Sequence, residues 1–404
     1  MNPNAALERL AHASWLKAAQ PFFACLDGEG GKTRAVGGIV RDTLLGIEGG
    51  RPDIDMASEF VPEQVAERGR AAGMNVHPTG IEHGTMTLVH NGRIAEVTTL
   101  RQDVDTFGRK ARVSFGTDWT EDARRRDFTM NALYCGPKGQ LFDPLGGLDD
   151  CLSGRVRFIG DPDARIAEDR LRVYRYFRFV VSHGNQQFDP IAIAACKRVA
   201  DDLGALSAER IGREMMRLLS HRRCAAALAE MAVIGVLPKE LFSPRVLADL
   251  ARLEAFAVPL DAEMRMAVMA FAGVGRQSLQ DMWRLSNANM ARVERLIGAA
   301  DLARRDHLAE LAYRYRGERE AGLAIAAAIE GSAENWLNER LTALQTINPG
   351  RFPLSGSDLV SAGHAPGPTV GAELQRLENL WIESRFSLDR TALMALARSA
   401  LRDQ

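Results

Sequence analysis

The sequence predicts an α+β protein, in which a mixed sheet with helices near the N-terminus is followed by an all-helical remainder. Up to about residue 160, short β-type runs alternate with helical stretches and are separated by Gly, Pro and Asn. From residue 161 onwards, helical periodicity in Ala, Leu, Arg and Glu dominates. The composition, 46% hydrophobic and 25% charged residues, is typical of a folded globular chain. We therefore expect two to four compact modules, of which the first, up to about residue 160, contains the sheet.

The individual elements follow from local patterns. In the helical part, Ile211, Met215 and Leu218 form an apolar stripe at helical spacing behind Ser207, which can cap the helix start. Proline residues separate the later helices at intervals that suit helical layers. The predicted strands span 33–36, 54–57, 75–77, 85–90, 94–98, 133–135, 140–142 and 156–158.

Composition and charge exclude several classes of protein. The five cysteines are odd in number, widely spaced and without a Cys-x-x-Cys pair, so we expect reduced thiols rather than a zinc site or a disulfide framework. No apolar stretch approaches the ~20 residues needed to cross a bilayer, and the N-terminus has no secretory pattern, which predicts a cytoplasmic protein without membrane contact. The net charge of −1 indicates no particular partner, so charge has to be judged locally.

A glycine turn follows the first predicted strand. Gly37 and Gly38 stand where that strand turns into a helix, so that backbone N–H groups at the helix start can meet a phosphate. Arg41, one turn into the helix, adds a fork of donors. The turn alone is a weak signal, because most Gly-Gly pairs are only turns.

Paired carboxylates follow after a short loop. Asp53 and Asp55 are alternate residues of a strand-like run, so their side chains share one face, about 6–7 Å apart at Cα. Two hard oxygen ligands suit Mg²⁺, which binds carboxylates together with substrate phosphates and water. Two such ions can activate an attacking hydroxyl and hold a triphosphate. Glu96, in a neighbouring predicted strand, is a candidate third carboxylate, although a solvent-facing glutamate is an equal alternative.

These residues belong to five motifs in order that resemble the class II CCA-adding enzymes and bacterial poly(A) polymerases. The loop 46–53 is about two residues longer than is usual in that family, and Ser58 stands where threonine is common. The motifs are Gly37-Gly38-x-x-Arg41-Asp42-x-Leu44-Leu45-Gly46 with Asp53-x-Asp55, Arg125-Arg126-Asp127-Phe128-Thr129-Met130-Asn131-Ala132-Leu133, Asp143-Pro144-x-x-Gly147-x-x-Asp150, Glu168-Asp169-x-x-Arg172-x-x-Arg175-x-x-Arg178-Phe179, and Glu209-Arg210-Ile211 through Glu214.

The resemblance implies a fold and an activity. Residues 1–160 would form a polymerase β-like nucleotidyltransferase head, 161–225 a helical neck that recognises the base, and 226–404 a helical body and tail that binds RNA. The activity implied is template-independent addition of C, C and A from CTP and ATP to the 3′ end of tRNA, with release of pyrophosphate. Asp53, Asp55 and Glu96 would be catalytic, with Mg²⁺ on the two aspartates. The nucleotide would be bound by Gly37, Gly38, Arg41, Arg126, Asp127, Asn131, Asp169, Arg172, Arg175 and Arg178.

Residues 169 and 172 suggest how a base can be chosen without a template. Three residues apart on one predicted helix, Asp169 and Arg172 would share a face and act on one base together. A carboxylate only accepts and a guanidinium only donates hydrogen bonds, a pair that matches adenine and cytosine and opposes uracil and guanine. A mismatch in a dry pocket leaves buried groups unpaired. The resemblance implies that the growing RNA end and a flexible loop, here 103–117, decide between C and A.

Local charge supports an RNA partner. Basic residues concentrate in two stretches that can frame a cleft for an acceptor stem. No protein partner can be inferred. The two stretches contain Arg101, Arg109, Lys110, Arg112, Arg124, Arg125 and Arg126, and then seven further arginines within 155–178.

Other functions stay open at this point. Within the family, the alternatives are a poly(A) polymerase, which the absence of a basic C-terminal extension disfavours, and an enzyme that adds only CC or only A. A different class of function is a non-catalytic RNA-binding scaffold, which the intact set of metal and nucleotide groups disfavours.

Overall fold

The computed structural model describes residues 2–47, 53–81, 84–107, 110–239 and 241–402, with the backbone alone for 102–114 and 402. The chain divides into two compact units. The first comprises residues up to 218 together with 230–236, and the second comprises 219–229 and the residues from 237 onwards.

The first unit contains all the described strands and ten helices. In chain order these elements are α1 (Pro3–Ala11), α2 (Ser14–Cys25), β1 (Thr33–Val36), α3 (Gly38–Leu45), β2 (Ile54–Ser58), α4 (Pro62–Ala71), β3 (Asn75–Gly80), β4 (Thr85–His90), β5 (Arg93–Thr99), β6 (Arg101–Phe107), β7 (Lys110–Phe115), α5 (Trp119–Arg124), β8 (Tyr134–Cys135), β9 (Leu141–Phe142), α6 (Gly147–Ser153), α7 (Pro162–Glu168), α8 (Arg172–Ser182), α9 (Pro190–Arg198) and α10 (Ala208–Leu219), the last of which ends at the unit boundary.

A seven-stranded mixed sheet in the order β3-β4-β5-β2-β1-β8-β9 organises this unit. The strands pair antiparallel, except that β2 and β5 run parallel. Seven of the eight predicted strands are present, within one to three residues at their ends. A buried aromatic cluster that includes Trp119 and Tyr134 packs against the sheet. The predicted α+β class is therefore confirmed.

Two predictions for the sheet region were wrong. Residues 156–158 form no strand, because Phe158 makes only an isolated bridge with Phe128. The segment 103–117, expected as a flexible loop, consists mainly of the antiparallel pair β6–β7, which forms its own two-stranded sheet. The side chains of Lys110 and Arg112, the whole of Arg109, and residues 48–52 of the longer loop lie outside the described residues.

The second unit is helical throughout its described part. α11 (Ala225–Val233) begins in this unit and ends in the first. The predicted stripe in α10 is confirmed, with Met215 and Leu218 fully buried and Ser207 accepting from Arg210 N. The remaining helices are α12 (Pro244–Ala255), α13 (Ala262–Phe271), α14 (Arg276–Trp283), α15 (Asn287–Arg304), α16 (Leu308–Arg314), α17 (Arg319–Glu330), α18 (Glu334–Thr346), α19 (Gly356–Ser361), α20 (Pro368–Glu383) and α21 (Arg390–Arg402).

The cysteine and membrane expectations can be compared with these elements. All five cysteines are free thiols, and burial raises the pKa of Cys135 and Cys151 to about 12. None of the helices in the described ranges is long and apolar enough to span a bilayer.

Candidate functional site

A cavity of about 550 Å³ lies in the first unit, between the start of α3, the end of α5 and helices α8 and α10. All ten residues predicted to bind the nucleotide line it, together with Asp55. The full lining is Gly37, Gly38, Arg41, Asp55, Arg125, Arg126, Asp127, Asn131, Asp169, Leu171, Arg172, Arg175, Arg178, Phe179, Arg210 and Arg217.

The glycine turn forms one wall of this cavity. Gly37 precedes α3 with φ 75° and ψ −127°, a conformation that L side chains rarely adopt. Its N–H donates to Leu133 O at 3.2 Å, which fixes the turn against the chain before β8. A Cβ on Gly37 would lie 4.0 Å from Arg126 Nη1. The backbone at the start of α3 therefore faces the cavity beside a guanidinium.

Asp55 and Glu96 are side by side on parallel strands. In the β2–β5 register, Asp55 pairs with Glu96, and both residues are exposed. Desolvation and the nearby carboxylates of Glu96 and Asp53 raise the pKa of Asp55 to about 6, although Arg126 opposes this shift. Asp53 lies immediately before β2 and is exposed. Neither Asp53 nor Glu96 lines the large cavity.

A second cavity of about 330 Å³ adjoins the first and contains Glu96. The two cavities share Gly37, Asp55, Arg125 and Arg126. Asp55 thus faces both spaces. Within the described parts of the chain, no group of three or more His, Cys, Asp or Glu forms a ready metal site.

Asp122 anchors two of the cavity arginines from below. Its side chain is fully buried and accepts from Arg125 Nε at 2.8 Å, Arg126 Nη2 at 3.2 Å and Tyr134 Oη at 2.9 Å. Burial alone would raise the pKa of Asp122, but Arg126 and Arg125 lower it below its usual range. The guanidinium of Arg126 is thereby fixed on its Nε and Nη2 side, which leaves Nη1 towards the glycine turn.

Asp127 and Asn131 connect α8 with α3. The buried carboxylate of Asp127 accepts from Arg175 Nε at 2.8 Å and from Asn131 Nδ2 at 2.9 Å. Burial alone would raise its pKa, and Arg175 together with Asn131 brings it below the usual range. Asn131 Oδ1 in turn accepts from Arg41 Nη1 at 2.6 Å. Both ends of the Asn131 amide are used, so this residue joins other side chains.

Phe179 provides an aromatic surface under three arginines. The guanidinium carbons of Arg178, Arg41 and Arg175 lie 4.2, 5.0 and 5.6 Å from the centre of its ring. Arg178 also donates from Nε to Glu214 at 2.5 Å. The cationic wall is therefore held in place by an aromatic ring and by buried acids.

Asp169 and Arg172 line the same cavity but do not share a helix, which corrects the sequence expectation. Asp169 ends α7 in an extended conformation (φ −148°, ψ 104°), and Arg172 is the first residue of α8. The Asp169 carboxylate accepts from Leu171 N at 3.1 Å, a local bond that competes with helix continuation. Its other oxygen accepts from Arg210 at 2.8 Å. The two predicted base-reading groups thus reach the cavity from separate elements.

Sequence reasoning missed several cavity residues. Arg210 and Glu214 lay within the fifth motif but received no role, and Asp122 stands just before the second. Phe179 ended the fourth motif without an assigned role, and Arg217 was not considered. The buried acids Asp122 and Glu214 could have been expected from the number of arginines in these motifs, because arginines packed together inside a protein need acidic partners close by.

Comparisons with known proteins address the family. The model of the Poly A polymerase head domain family matches residues 33–157. The chain is 31% identical over 393 residues to the CCA tRNA nucleotidyltransferase 1, mitochondrial, of Danio rerio, which covers 90% of this chain and 86% of the relative. It is 30% identical over 422 residues to the Homo sapiens protein of the same name, with 94% and 92% covered.

A solved structure agrees with these relatives. The Bacillus stearothermophilus CCA-adding enzyme, solved in complex with CTP, matches with a TM-score of 0.75 and 27% identity, over 95% of this chain and 98% of that one. The resemblance drawn from the five motifs is thereby confirmed. The chain belongs to the CCA tRNA nucleotidyltransferase family.

Proposed function

We propose that this chain adds C, C and A, from CTP and ATP, to the 3′ end of tRNA and releases pyrophosphate, with the cavity beside Asp55 as the nucleotide site. The observation that carries the proposal is the meeting of Asp55, the glycine turn and the base-reading candidates Asp169 and Arg172 in one cavity of the first unit. The similar Bacillus stearothermophilus enzyme has been solved in complex with CTP.

A divalent cation fits the carboxylates beside the cavity. Asp55 lies among like charges from Asp53 and Glu96, and its pKa is raised first by desolvation and then by these charges. A hard cation relieves such crowding, and Mg²⁺ needs only one or two carboxylates when phosphates and water complete its shell. We therefore assign Asp53 and Asp55 as its ligands, with Glu96 beside them. When bound, the ion supplies charge for activating the 3′ hydroxyl and stabilising the leaving pyrophosphate.

The triphosphate would lie against the glycine turn. Backbone N–H groups at the start of α3 have no partner within the helix, and glycine at 37 and 38 lets a phosphate come close to them. Arg126 offers its Nη1 beside this turn, and Arg41 lies one helical turn away. Both arginines are held by buried partners before a nucleotide arrives, so little ordering is needed on binding.

The base would be read at the junction of α7 and α8. Arg172 donates from Nη1 to Arg165 O and to Glu168 Oε2, and from Nη2 to Arg125 O, so that its Nε–H and one Nη2–H take part in none of these bonds. The Asp169 carboxylate keeps lone pairs beyond its bonds to Leu171 N and Arg210. A donor and an acceptor therefore remain for the amino group and ring nitrogen that cytosine and adenine share.

The division of labour along the chain and its location are also predictions. We propose a catalytic head over 1–160, a base-recognising neck over 161–225 and an RNA-binding body and tail over 226–404. The head and the neck as far as residue 218 fall within one compact unit, whereas residues 219–225 belong to the other. A cytoplasmic location is predicted from the sequence, while the two curated relatives named above are mitochondrial proteins.

The decisive assay supplies tRNA transcripts that end at the discriminator base, at C and at CC, each with one labelled nucleoside triphosphate at a time. The expected result is C on the first two transcripts and a single A on the third, with no use of UTP or GTP. Addition of A alone without limit would instead identify a poly(A) polymerase, the activity for which the matched head family is named. Equal use of UTP and GTP would refute the base-reading role of Asp169 and Arg172.

Matched variants separate catalysis from scaffolding. Asp55→Asn should abolish incorporation while tRNA binding persists, because the change removes one charge and few contacts. Asp163→Asn is the control, since Asp163 is an exposed partner of Arg198 outside both cavities. Unchanged incorporation by Asp55→Asn would refute the role of Asp55 as a metal ligand, and a wild type that binds tRNA without any incorporation would favour the non-catalytic scaffold.

A further inference from the structure

His183 follows the last residue of α8 and reaches back to the head. Its Nε2 lies 3.0 Å from Asp42 Oδ1, and its Nδ1 lies 2.5 Å from the hydroxyl of Ser182. Asp42 Oδ1 also accepts from Arg41 Nε at 2.9 Å. His183 lies in none of the five motifs and does not line the cavity. Through Asp42 it is linked by hydrogen bonds to the cavity residue Arg41.

The contact closes a ring of hydrogen bonds. Starting on α8, Arg175 donates to Asp127, Asn131 donates to Asp127, and Arg41 donates to Asn131. Arg41 also donates to its neighbour Asp42, which His183 ties to the end of the same α8. Arg175 on α8 and His183, which directly follows α8, are eight positions apart, a rise of about 12 Å along a helix axis. Both ends of the helix segment are thus connected to α3 through Arg41.

The ring surrounds Phe179 and is largely buried. The side chains of His183 and Arg41 are 10% and 8% exposed, whereas that of Asp42 is 37% exposed. The Phe179 ring centre lies 5.6 Å from the His183 ring and 5.0 Å from the Arg41 guanidinium. Asp42 is therefore the member of the ring that solvent can draw outwards. The bonds that Asp42 accepts from His183 and Arg41, both on its buried side, oppose that displacement of its carboxylate.

The protonation state of His183 suits this role. Desolvation lowers its pKa below the ordinary histidine value, so the imidazole is neutral at physiological pH. A neutral ring can accept from the Ser182 hydroxyl at Nδ1 and donate from Nε2 to Asp42. Desolvation alone would raise the pKa of Asp42, but the bonds from His183 and Arg41 lower it. The bond to His183 is therefore charge-assisted.

We propose that His183 is a positioning residue for nucleotide binding, which acts through Asp42 to hold the Arg41 guanidinium over Phe179 at the wall of the cavity. The inference rests on the proposed function, because it takes Arg41 as a triphosphate ligand. Without His183, the ring opens at Asp42, and Arg41 keeps its contact with Asn131 but loses the fixed carboxylate on its other side. Nucleotide affinity then falls while base choice is unaffected.

The test compares His183→Leu, which fills the space without a donor, with His183→Gln, whose amide can reach the position of Nε2. We expect His183→Leu to raise KM for both CTP and ATP about tenfold, the worth of one charge-assisted hydrogen bond. KM for tRNA should change less than about twofold, and UTP and GTP should stay excluded. His183→Gln should recover most of the loss. His12→Leu is the control, since His12 is exposed beyond α1.

A double-mutant cycle shows whether the effect passes through Asp42. In an Asp42→Asn background, His183→Leu should add little to KM, because the route is already cut. Equal effects of His183→Leu in both backgrounds, or unchanged nucleotide KM in the single variant, would overturn the proposal. If His183→Leu does not fold, His183→Gln against His183→Asn decides, since the shorter amide does not reach Asp42. Nucleotide Kd, measured by calorimetry, tests the ring even if CCA addition itself is not observed.

Discussion

Replacing Asp55 with asparagine should stabilise the metal-free protein while it destroys activity. The pKa of Asp55 is about 6 in the folded chain against 3.8 for the free side chain. An acid whose pKa rises on folding favours the fold at low pH, and this advantage is lost as pH rises through about 6. At neutral pH the ionised carboxylate therefore lowers the free energy of unfolding. The uncharged side chain of asparagine does not.

The magnitude follows from the same two values. Their difference corresponds to roughly 3 kcal/mol at pH 7.5. Because Asp55 is exposed to the cavity, water reduces the cost of its ionised form. We therefore expect the Asp55→Asn variant to gain about 1 to 1.5 kcal/mol in the free energy of unfolding. For a unit of this size that gain raises Tm by about 2 to 6 °C. At pH 5 the gain should be about half as large, because part of the wild-type carboxyl is already protonated.

Thermal unfolding in EDTA at pH 7.5 and pH 5 measures both effects. Added Mg²⁺ should raise Tm of the wild type by mass action and leave the Asp55→Asn variant nearly unchanged. Asp163→Asn controls for loss of an aspartate elsewhere. A variant that melts at or below the wild type in EDTA at pH 7.5, or a gain that does not shrink at pH 5, would refute the cost of ionising Asp55 in the folded protein.

Three further outcomes follow from other contacts. Arg265→Met should lower the free energy of unfolding of the second unit by about 3–5 kcal/mol in urea denaturation, and a loss under about 1 kcal/mol would contradict this. The reason is that Arg265 is fully buried and donates to three carbonyls at 2.6–2.8 Å and to Glu254. Asp122→Asn should lower Tm more at pH 7 than at about pH 3, because the depressed pKa of Asp122 contributes stability that is present above the ordinary aspartate pKa and is lost as the pH falls below it; an equal loss at both pH values would count against it. Arg217→Ala should raise KM for CTP and ATP about threefold to tenfold, because Arg217 lines the cavity and has no ion pair with any described residue, whereas Arg213→Ala on the same helix should have no effect.

The catalytic half of the site could be predicted because its signals are local. Side chains alternate between the two faces of a strand, which predicted that Asp53 and Asp55 share a face. The parallel register of β2 and β5 places Glu96 beside Asp55. The glycine turn was recognisable because a positive φ at Gly37 requires glycine. Each of these inferences needs only a few consecutive residues, and the five motifs then assembled them.

The neck was predicted less well because its geometry depends on distant contacts. No Gly or Pro marks the break at Asp169, which forms because this carboxylate bonds to Leu171 N and to Arg210, 41 residues later. His183 likewise owes its importance to a partner far along the chain, Asp42. Periodicity and spacing carry no information about such pairings. The hairpin β6–β7 was missed because charged residues interrupt the apolar alternation in the sequence of both strands.

The interruption between α7 and α8 has a mechanical meaning for a protein that must accept both a pyrimidine and a purine. Arg172 is tied to the backbone at Arg125, so its guanidinium keeps a constant place. Asp169 instead sits on extended backbone, where two torsions can turn its carboxylate without unwinding any helical turn. In the proposed base-reading role, the width between acceptor and donor is therefore adjustable at the cost of the bonds from Leu171 N and Arg210, whereas a pair on one helix would have to unwind it.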